Sequence, residues 1–246
     1  MKILDALIDG LAGKNEPVKK VCTGAFWTAV TTRFTGLSTT YRDMDLQHSD
    51  EPKFVEGAGS FEGMPAGKLA EYARSENTVS ASIGMATINS LIELDESRCV
   101  ERGAYDILAE KGRGRNVAVV GHFPFIPKLR DVAQNVWVIE KRLRPGDFAA
   151  SEASEILPKA EVVSLTGTAF INHTIEDLLA LCRDAYVVLT GPTSPLSPVL
   201  FDFGVHAICG TRVTDEAEVV RHISQGACFK QLRGHGVQLL TMVKPG

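Results

Sequence analysis

Apolar residues concentrate in five short stretches in the second half of the chain, and each stretch ends abruptly in small or polar residues. Val117 to Val120 runs into Gly121-His122, Val136 to Ile139 into Glu140, and Val162 to Leu165 into Thr166-Gly167-Thr168. Tyr186 to Leu189 leads to Thr190-Gly191-Pro192, and Val205 to Ile208 leads to Cys209-Gly210-Thr211. Stretches rich in β-branched residues, with no alternating polar face, suit strands buried on both sides, which means parallel strands covered by helices. Helix-start signals fall between them. Thr174 precedes Glu176 and Asp177, and Thr214 precedes Asp215, Glu216 and Glu218, so acidic charge meets the positive end of each helix dipole. This alternation predicts a doubly wound, Rossmann-like α/β domain with a parallel sheet. Ligands of such sheets bind outside the carboxyl ends of the strands, where these polar residues fall.

The first hundred residues carry a different pattern. Residues 3 to 11 have helical spacing. Between Val18 and Tyr41 the texture becomes short and β-rich, with turns expected at Gly24 and at Thr35-Gly36, which predicts a small antiparallel meander. Residues 43 to 65 are polar and glycine-rich without periodicity, as in a long loop. Helices are expected at Lys68 to Arg74 and at Val79 to Leu94, the second capped by Asn77 or Thr78. That second helix is apolar nearly all round and therefore buried, so Asn89 within it must find hydrogen-bond partners. The charged stretch 95–104 reads as a joint between a smaller α+β domain, residues 1–100, and the α/β domain, residues 101–246. A further helix is expected at Tyr105 to Lys111.

Composition narrows the function classes. The chain has 246 residues, 44% hydrophobic and 23% charged, with a formal charge of −4 and a pI near 5.9. That balance suits an ordinary globular protein and argues against a nucleic-acid partner. The densest positive run, Lys141-Arg142-Leu143-Arg144, is short. Five scattered cysteines without a C-x-x-C pair suit reduced thiols. No run approaches the ~20 apolar residues that cross a bilayer, so no membrane role and a cytoplasmic location are expected.

Candidate chemistry gathers at the strand ends. The turn after the first long strand places Gly121 and His122 before Phe123-Pro124-Phe125, and Glu140 ends the next strand, where an acidic residue can take a ribose hydroxyl pair. The bulky rings and the prolines oppose a dinucleotide, because they block close backbone approach and remove amide donors. Glu140 either faces a ligand or pairs with Lys141 or Arg142. Thr166-Gly167-Thr168 and Asn172 offer hydroxyls and an amide to an anionic or heteroaromatic group, or else shape the loop and cap the helix. The proline-rich loop carrying Gly191 and Ser194 suits either a stiff wall or a plain connection. No metal motif is present: His206 and Cys209 would point to opposite faces of a strand, and no H-E-x-x-H or G-x-S-x-G occurs.

Taken as a set, G-H-F-P-F, V-I-E-K, T-G-T-A-F-I-N-H-T and G-P-T-S-P-L-S-P resemble a prokaryotic family labelled for heavy-metal chelation. In the first half, A-T-I-N-S within the buried helix and G-L-S-T-T-Y-R in the meander resemble it too. The resemblance implies a Rossmann-like second domain and a first domain similar to the N-terminal domain of enolase. It also implies a site between them, with Gly121, His122, Glu140, Thr166, Thr168 and Asn172 facing Asn89 and Arg42. The expected ligand is a small polar or anionic molecule such as a metal chelate. No cofactor is specified, and a homo-oligomer stays open. Catalysis is undecided, with Glu140 and His122 the candidate acid and base. The alternatives are a nucleotide- or pterin-dependent enzyme and a non-catalytic carrier.

Overall fold

The computed structural model describes residues 1–14, 16–41 and 54–245, so Arg42 lies outside the described residues. Helix α1 (Lys2–Asp9) buries Ile3, Leu4 and Leu7 on one side. Three antiparallel strands follow, β1 (Lys20–Thr23), β2 (Trp27–Thr31) and β3 (Thr35–Thr39), in that order across a small sheet. The reversal after β2 is made by Thr32 to Phe34, where Thr32 N donates to Phe34 O at 2.9 Å, and not at the expected Thr35-Gly36. Gly36 instead lies inside β3 because a helix crosses it closely. A Cβ there would sit 2.1 Å from Ala86 O and 2.3 Å from Ser90 N, a contact only glycine admits.

That helix is α3 (Thr78–Leu91), preceded by α2 (Ala66–Ala70) and a 3₁₀ turn at Glu71–Arg74 that together form the expected helix. Asn77 caps α3 by accepting from the amides of Val79 and Ser80 at 3.0 and 3.1 Å. The helix ends at Leu91, because Ile92 is already extended, three residues before the expected stop. It is buried on nearly every side, as its composition requires. Its hydroxyls are satisfied by the backbone of the preceding turn: Ser82 donates to Thr78 O and Thr87 to Ile83 O.

The second half opens with β4 (Cys99–Val100), α4 (Ala104–Lys111), β5 (Asn116–Val120), α5 (Ile126–Arg130), β6 (Asn135–Glu140) and β7 (Phe148–Ala149). It continues with α6 (Ala153–Ile156), β8 (Val162–Thr166), α7 (Thr168–Ile171), α8 (Ile175–Ala180), β9 (Tyr186–Thr190) and β10 (Ala207–Val213), and closes with α9 (Glu216–Ser224), α10 (Phe229–Arg233) and β11 (Val237–Val243). Eight strands form one sheet in the order β4-β11-β10-β9-β8-β5-β6-β7. From β10 to β7 the neighbours are parallel, while β11 and then β4 add antiparallel strands at one edge. The stretch expected to be only a joint thus supplies an edge strand. The last parallel strand also starts later than expected, at Ala207, and runs to Val213 because β11 pairs along its whole length.

Both faces of the sheet are buried. Val163, Leu165, Val187 and Leu189 join the larger core on one side, shared with Leu4, Met85 and Ile88 of the first half. Val117, Val119, Val138 and Val162 join the second core beneath α4 and α5. Each such side chain contributes roughly 1.5–3 kcal/mol when removed from water, so continuous apolar strands are what this layering demands. A correction concerns the caps. Asp215, not Thr214, caps α9 by accepting from Glu218 N at 3.0 Å. Thr174 stands before α8 but caps nothing with its side chain, which donates to Asn172 Oδ1 at 2.7 Å.

Candidate functional site

The parallel strands run outward in two directions from one point. From β5 the chain moves to β6 and β7, then returns to the other side of β5 as β8 and proceeds to β9 and β10. Between β5 and β8, therefore, the connecting loops diverge and leave a crevice at the strand ends. A cleft of about 1220 Å³ opens there. Gly121, His122, Glu140, Thr166, Gly167, Thr168, Asn172 and Gly191 all line it, together with Trp27, Thr39 and Tyr41 from the small sheet. Two of the expected residues do not. Ser194 is buried at 2% exposure with its hydroxyl facing no protein partner. Asn89 acts as a clasp: its Nδ2 donates to Leu37 O at 2.8 Å and Thr193 O at 3.2 Å, joining α3, β3 and the loop after β9.

The tips of β5 and β6 carry the charged chemistry. Gly121 N donates to Ile139 O at 2.9 Å and holds the two strand ends together. The turn at Gly121 has φ +101°, and Phe123 packs over it, stacked on Phe125 with ring centroids 5.2 Å apart. Those rings occupy the turn that a pyrophosphate would need. His122 is held on both sides. Arg144 Nη1 lies 3.0 Å from its Nδ1, and Asp147 Oδ1 lies 3.8 Å from its Nε2. A guanidinium only donates, so Nδ1 is the acceptor and the ring proton sits on Nε2, toward Asp147. Asp147 has a side chain only 2% exposed and anchors the turn by accepting from Arg144 N at 2.9 Å. His122 therefore spends its lone pair on Arg144 in this geometry.

Glu140 is freer. Its Oε1 accepts from the adjacent amide of Lys141 at 2.7 Å, and among the described residues neither Lys141 nor Arg142 forms an ion pair with it. The Lys141 ammonium instead lies 6.0 Å from the centre of the Tyr41 ring.

The tips of β8 and β9 carry neutral donors. The Thr166 and Thr168 hydroxyls are 3.0 Å apart, and Thr168 N donates to Thr166 Oγ1 at 3.3 Å. Asn172 Oδ1 is occupied by Thr174, so its amide nitrogen is the part left for a ligand. Thr193 bridges to the opposite wall: Thr39 N donates to its Oγ1 at 2.9 Å. Among the described residues, Arg102, Lys128, Lys141, Lys230 and Arg233 line the cleft against Asp106, Glu140 and Asp177, five cations to three carboxylates, with Arg102 already paired to Glu110 at 2.8 Å. The surplus suits an anion.

The described residues of the cleft gather no ligand set for a bare ion. Among the described residues, its carboxylates and His122 form no group of three close metal ligands. Its thiol, Cys209, accepts from Thr241 Oγ1 at 3.3 Å, and burial pushes its pKa up to about 11, far from the thiolate that binds metals. Arg144, Asp147, Thr193 and Tyr41 were missed from sequence because their place depends on which loops fold back over the strand ends.

A family model described as "Putative heavy-metal chelation", DUF364, matches residues 103–242, and a second with the same description, DUF4213, matches residues 4–92. The chain belongs to the DUF364 family. A DUF364 protein of unknown function from Desulfitobacterium hafniense is 26% identical in crystal structure, covering 99% of this chain and 98% of that one with a TM-score of 0.86. Another from Pyrococcus horikoshii, 18% identical, shares the fold with a TM-score of 0.82 over 98% of this chain and all of its own. Uncharacterized protein MJ0500 of Methanocaldococcus jannaschii is 25% identical over 175 residues, 68% of each chain. No helix among the described residues is long and apolar enough to cross a membrane.

Proposed function

We propose that this DUF364 protein binds a small anionic molecule of the chelator or metal-chelate class in the cleft at the strand ends. One observation carries the proposal: among the described residues, a cleft of about 1220 Å³ is lined by hydroxyls, an amide and more cations than carboxylates, and no three metal-ligating side chains converge in it. The volume leaves room for a substantial molecule, since pockets for drug-sized ligands measure roughly 300–1000 Å³. The family description favours a metal in the ligand, and the donor set favours one that arrives already chelated. Thr168 and the Asn172 amide would take the ligand's oxygens, and Glu140 would orient its hydroxyl or amine groups.

In this proposal residues 1–100 form an enolase N-terminal-like domain, whose last two residues pair as β4 with the sheet of a Rossmann-like domain at residues 101–246, in a cytoplasmic protein. The order β7-β6-β5-β8-β9-β10 supports the second assignment, since it follows the 3-2-1-4-5-6 order of dinucleotide-binding sheets.

Calorimetry on the full chain with ferric citrate, nickel citrate, free citrate, a pterin, NAD and ATP tests the proposal. We expect saturable binding of a citrate complex, weakened about tenfold in Glu140→Gln, or ~1.4 kcal/mol. Binding of NAD, ATP or pterin with no binding of any chelate would replace this function with a nucleotide- or pterin-dependent one. Equal chelate binding by Glu140→Gln would remove Glu140 from the site.

A further inference from the structure

On the far side of β1 and β2 from the buried helix α3, α9 presents Glu218 and His222 one turn apart, and the loop before β11 brings His235 beside them. Residues four apart on a helix share a face, so the carboxylate and the imidazole reach the same point. One ligand atom from each of the three residues lies within 4.8 Å of the other two. The imidazoles of His222 and His235 stack with centroids 4.4 Å apart and planes 22° apart. Glu218 and His222 are half-buried and His235 is exposed, so the cluster opens to solvent.

Two features hold the His222 ring and the backbone of the His235 loop in place before any ion arrives. His222 Nδ1 donates to Glu218 O at 2.8 Å and lies 3.7 Å from Glu218 Oε2, which orients the ring and leaves the lone pair on Nε2. Metal-binding histidines are commonly held by just such a carbonyl. The His235 loop is fixed from the other side. Gly236 turns at φ +86°, its carbonyl accepts from Thr214 N at 2.8 Å, and a side chain there would strike Asp215 at 2.8 Å. The loop is thus locked against the start of α9.

We propose that Glu218, His222 and His235 form a binding site for a divalent transition ion such as Zn²⁺ or Ni²⁺, separate from the cleft. Two imidazoles and a carboxylate suit ions of this class, and a three-ligand set leaves a fourth position open for water or an exchanging ligand. Bonds of about 2.0–2.2 Å require the donors to close to roughly 3.3 Å, and because stacked rings hold their lone pairs nearly parallel, the exposed His235 ring must turn out of its stack on His222 to meet the ion. One resident cation competes. Arg221 Nη2 donates to Glu218 Oε2 at 2.6 Å and partly neutralises the carboxylate the ion would use.

Calorimetry with Zn²⁺ on the full chain, with Co²⁺ absorption as a second readout, tests the site. Wild type should bind one zinc, and His222→Ala and His235→Ala should each weaken it about tenfold or more and abolish the cobalt band. Arg221→Ala should strengthen zinc binding severalfold, a gain that no loss of folding can imitate. His122→Ala, which removes the cleft's histidine, should leave zinc affinity unchanged. Absence of saturable zinc binding, unchanged affinity in the double variant His222→Ala/His235→Ala, or loss in His122→Ala equal to that in His222→Ala would overturn the proposal.

Discussion

The cleft at the strand ends and the histidine pair on α9 differ in how their polar groups are spaced. In the cleft, hydroxyls, an amide and cations are spread around about 1220 Å³, each held by its own loop. On α9, three ligand atoms crowd within 4.8 Å of one another on one turn of helix and one glycine-locked loop. Dispersed donors on several loops recognise the outline of a molecule, while converging donors on a rigid element select an ion. Family membership alone would lead one to seek the metal in the larger opening. The spacing of the donors directs an uncomplexed ion to the smaller cluster.

The largest expected effect breaks the cleft and spares the cluster. Phe170, on α7 two residues after Thr168, is the bulkiest fully buried side chain among the described residues and supports the loop that offers Thr166, Thr168 and Asn172. Phe170→Ala should cost about 3–5 kcal/mol in urea unfolding and abolish chelate binding. In the fraction that stays folded, zinc uptake should persist. Parallel loss of both activities would mean that the two regions are not independent.

A smaller effect sharpens the contrast between lining the cleft and shaping it. Asn89→Ala removes the clasp between Leu37 O and Thr193 O and should cost about 1–3 kcal/mol. Because Asn89 does not line the cleft, ligand affinity should fall less than in Glu140→Gln when both are measured well below their melting temperatures. The reverse order would return Asn89 to the binding surface.

The smallest effect comes from His206, which belongs to neither region. Its pKa is lowered from 6.5 by burial and then by Lys244, and its Nδ1 accepts from Val187 N at 3.1 Å. Between the folded and unfolded pKa values the unfolded chain binds more protons, so stability rises with pH there. The penalty therefore appears as pH falls below about 6.5. His206→Gln should flatten the dependence of melting temperature on pH between about 5 and 7. An unchanged slope would assign the acid sensitivity elsewhere.

The sequence revealed most where burial left it no choice. Strands covered on both faces must be apolar throughout, and the five stretches accordingly emerged as β5, β6, β8, β9 and β10. The start and length of β10 were hidden because they depend on β11, an antiparallel partner that no local pattern announces. Gly36 resembled a turn because proximity to a helix and positive φ leave the same residue in a sequence. Asn89 and Ser194 have the right chemistry for a site, and only the packing of the loop after β9 shows that one serves as a clasp and the other is buried behind the lining. Glu218 and His222 stand four apart on a helix, a spacing that matches no metal motif read from the sequence. His235, thirteen residues further on, joins them only through the turn at Gly236.

Anomalous scattering from crystals of the full chain soaked in Zn²⁺ tests the division between the two regions most directly. We predict a peak between His222 and His235 and none at Glu140 or His122. A zinc peak coordinated by Glu140 or His122 in the cleft, with the α9 cluster empty, would contradict it.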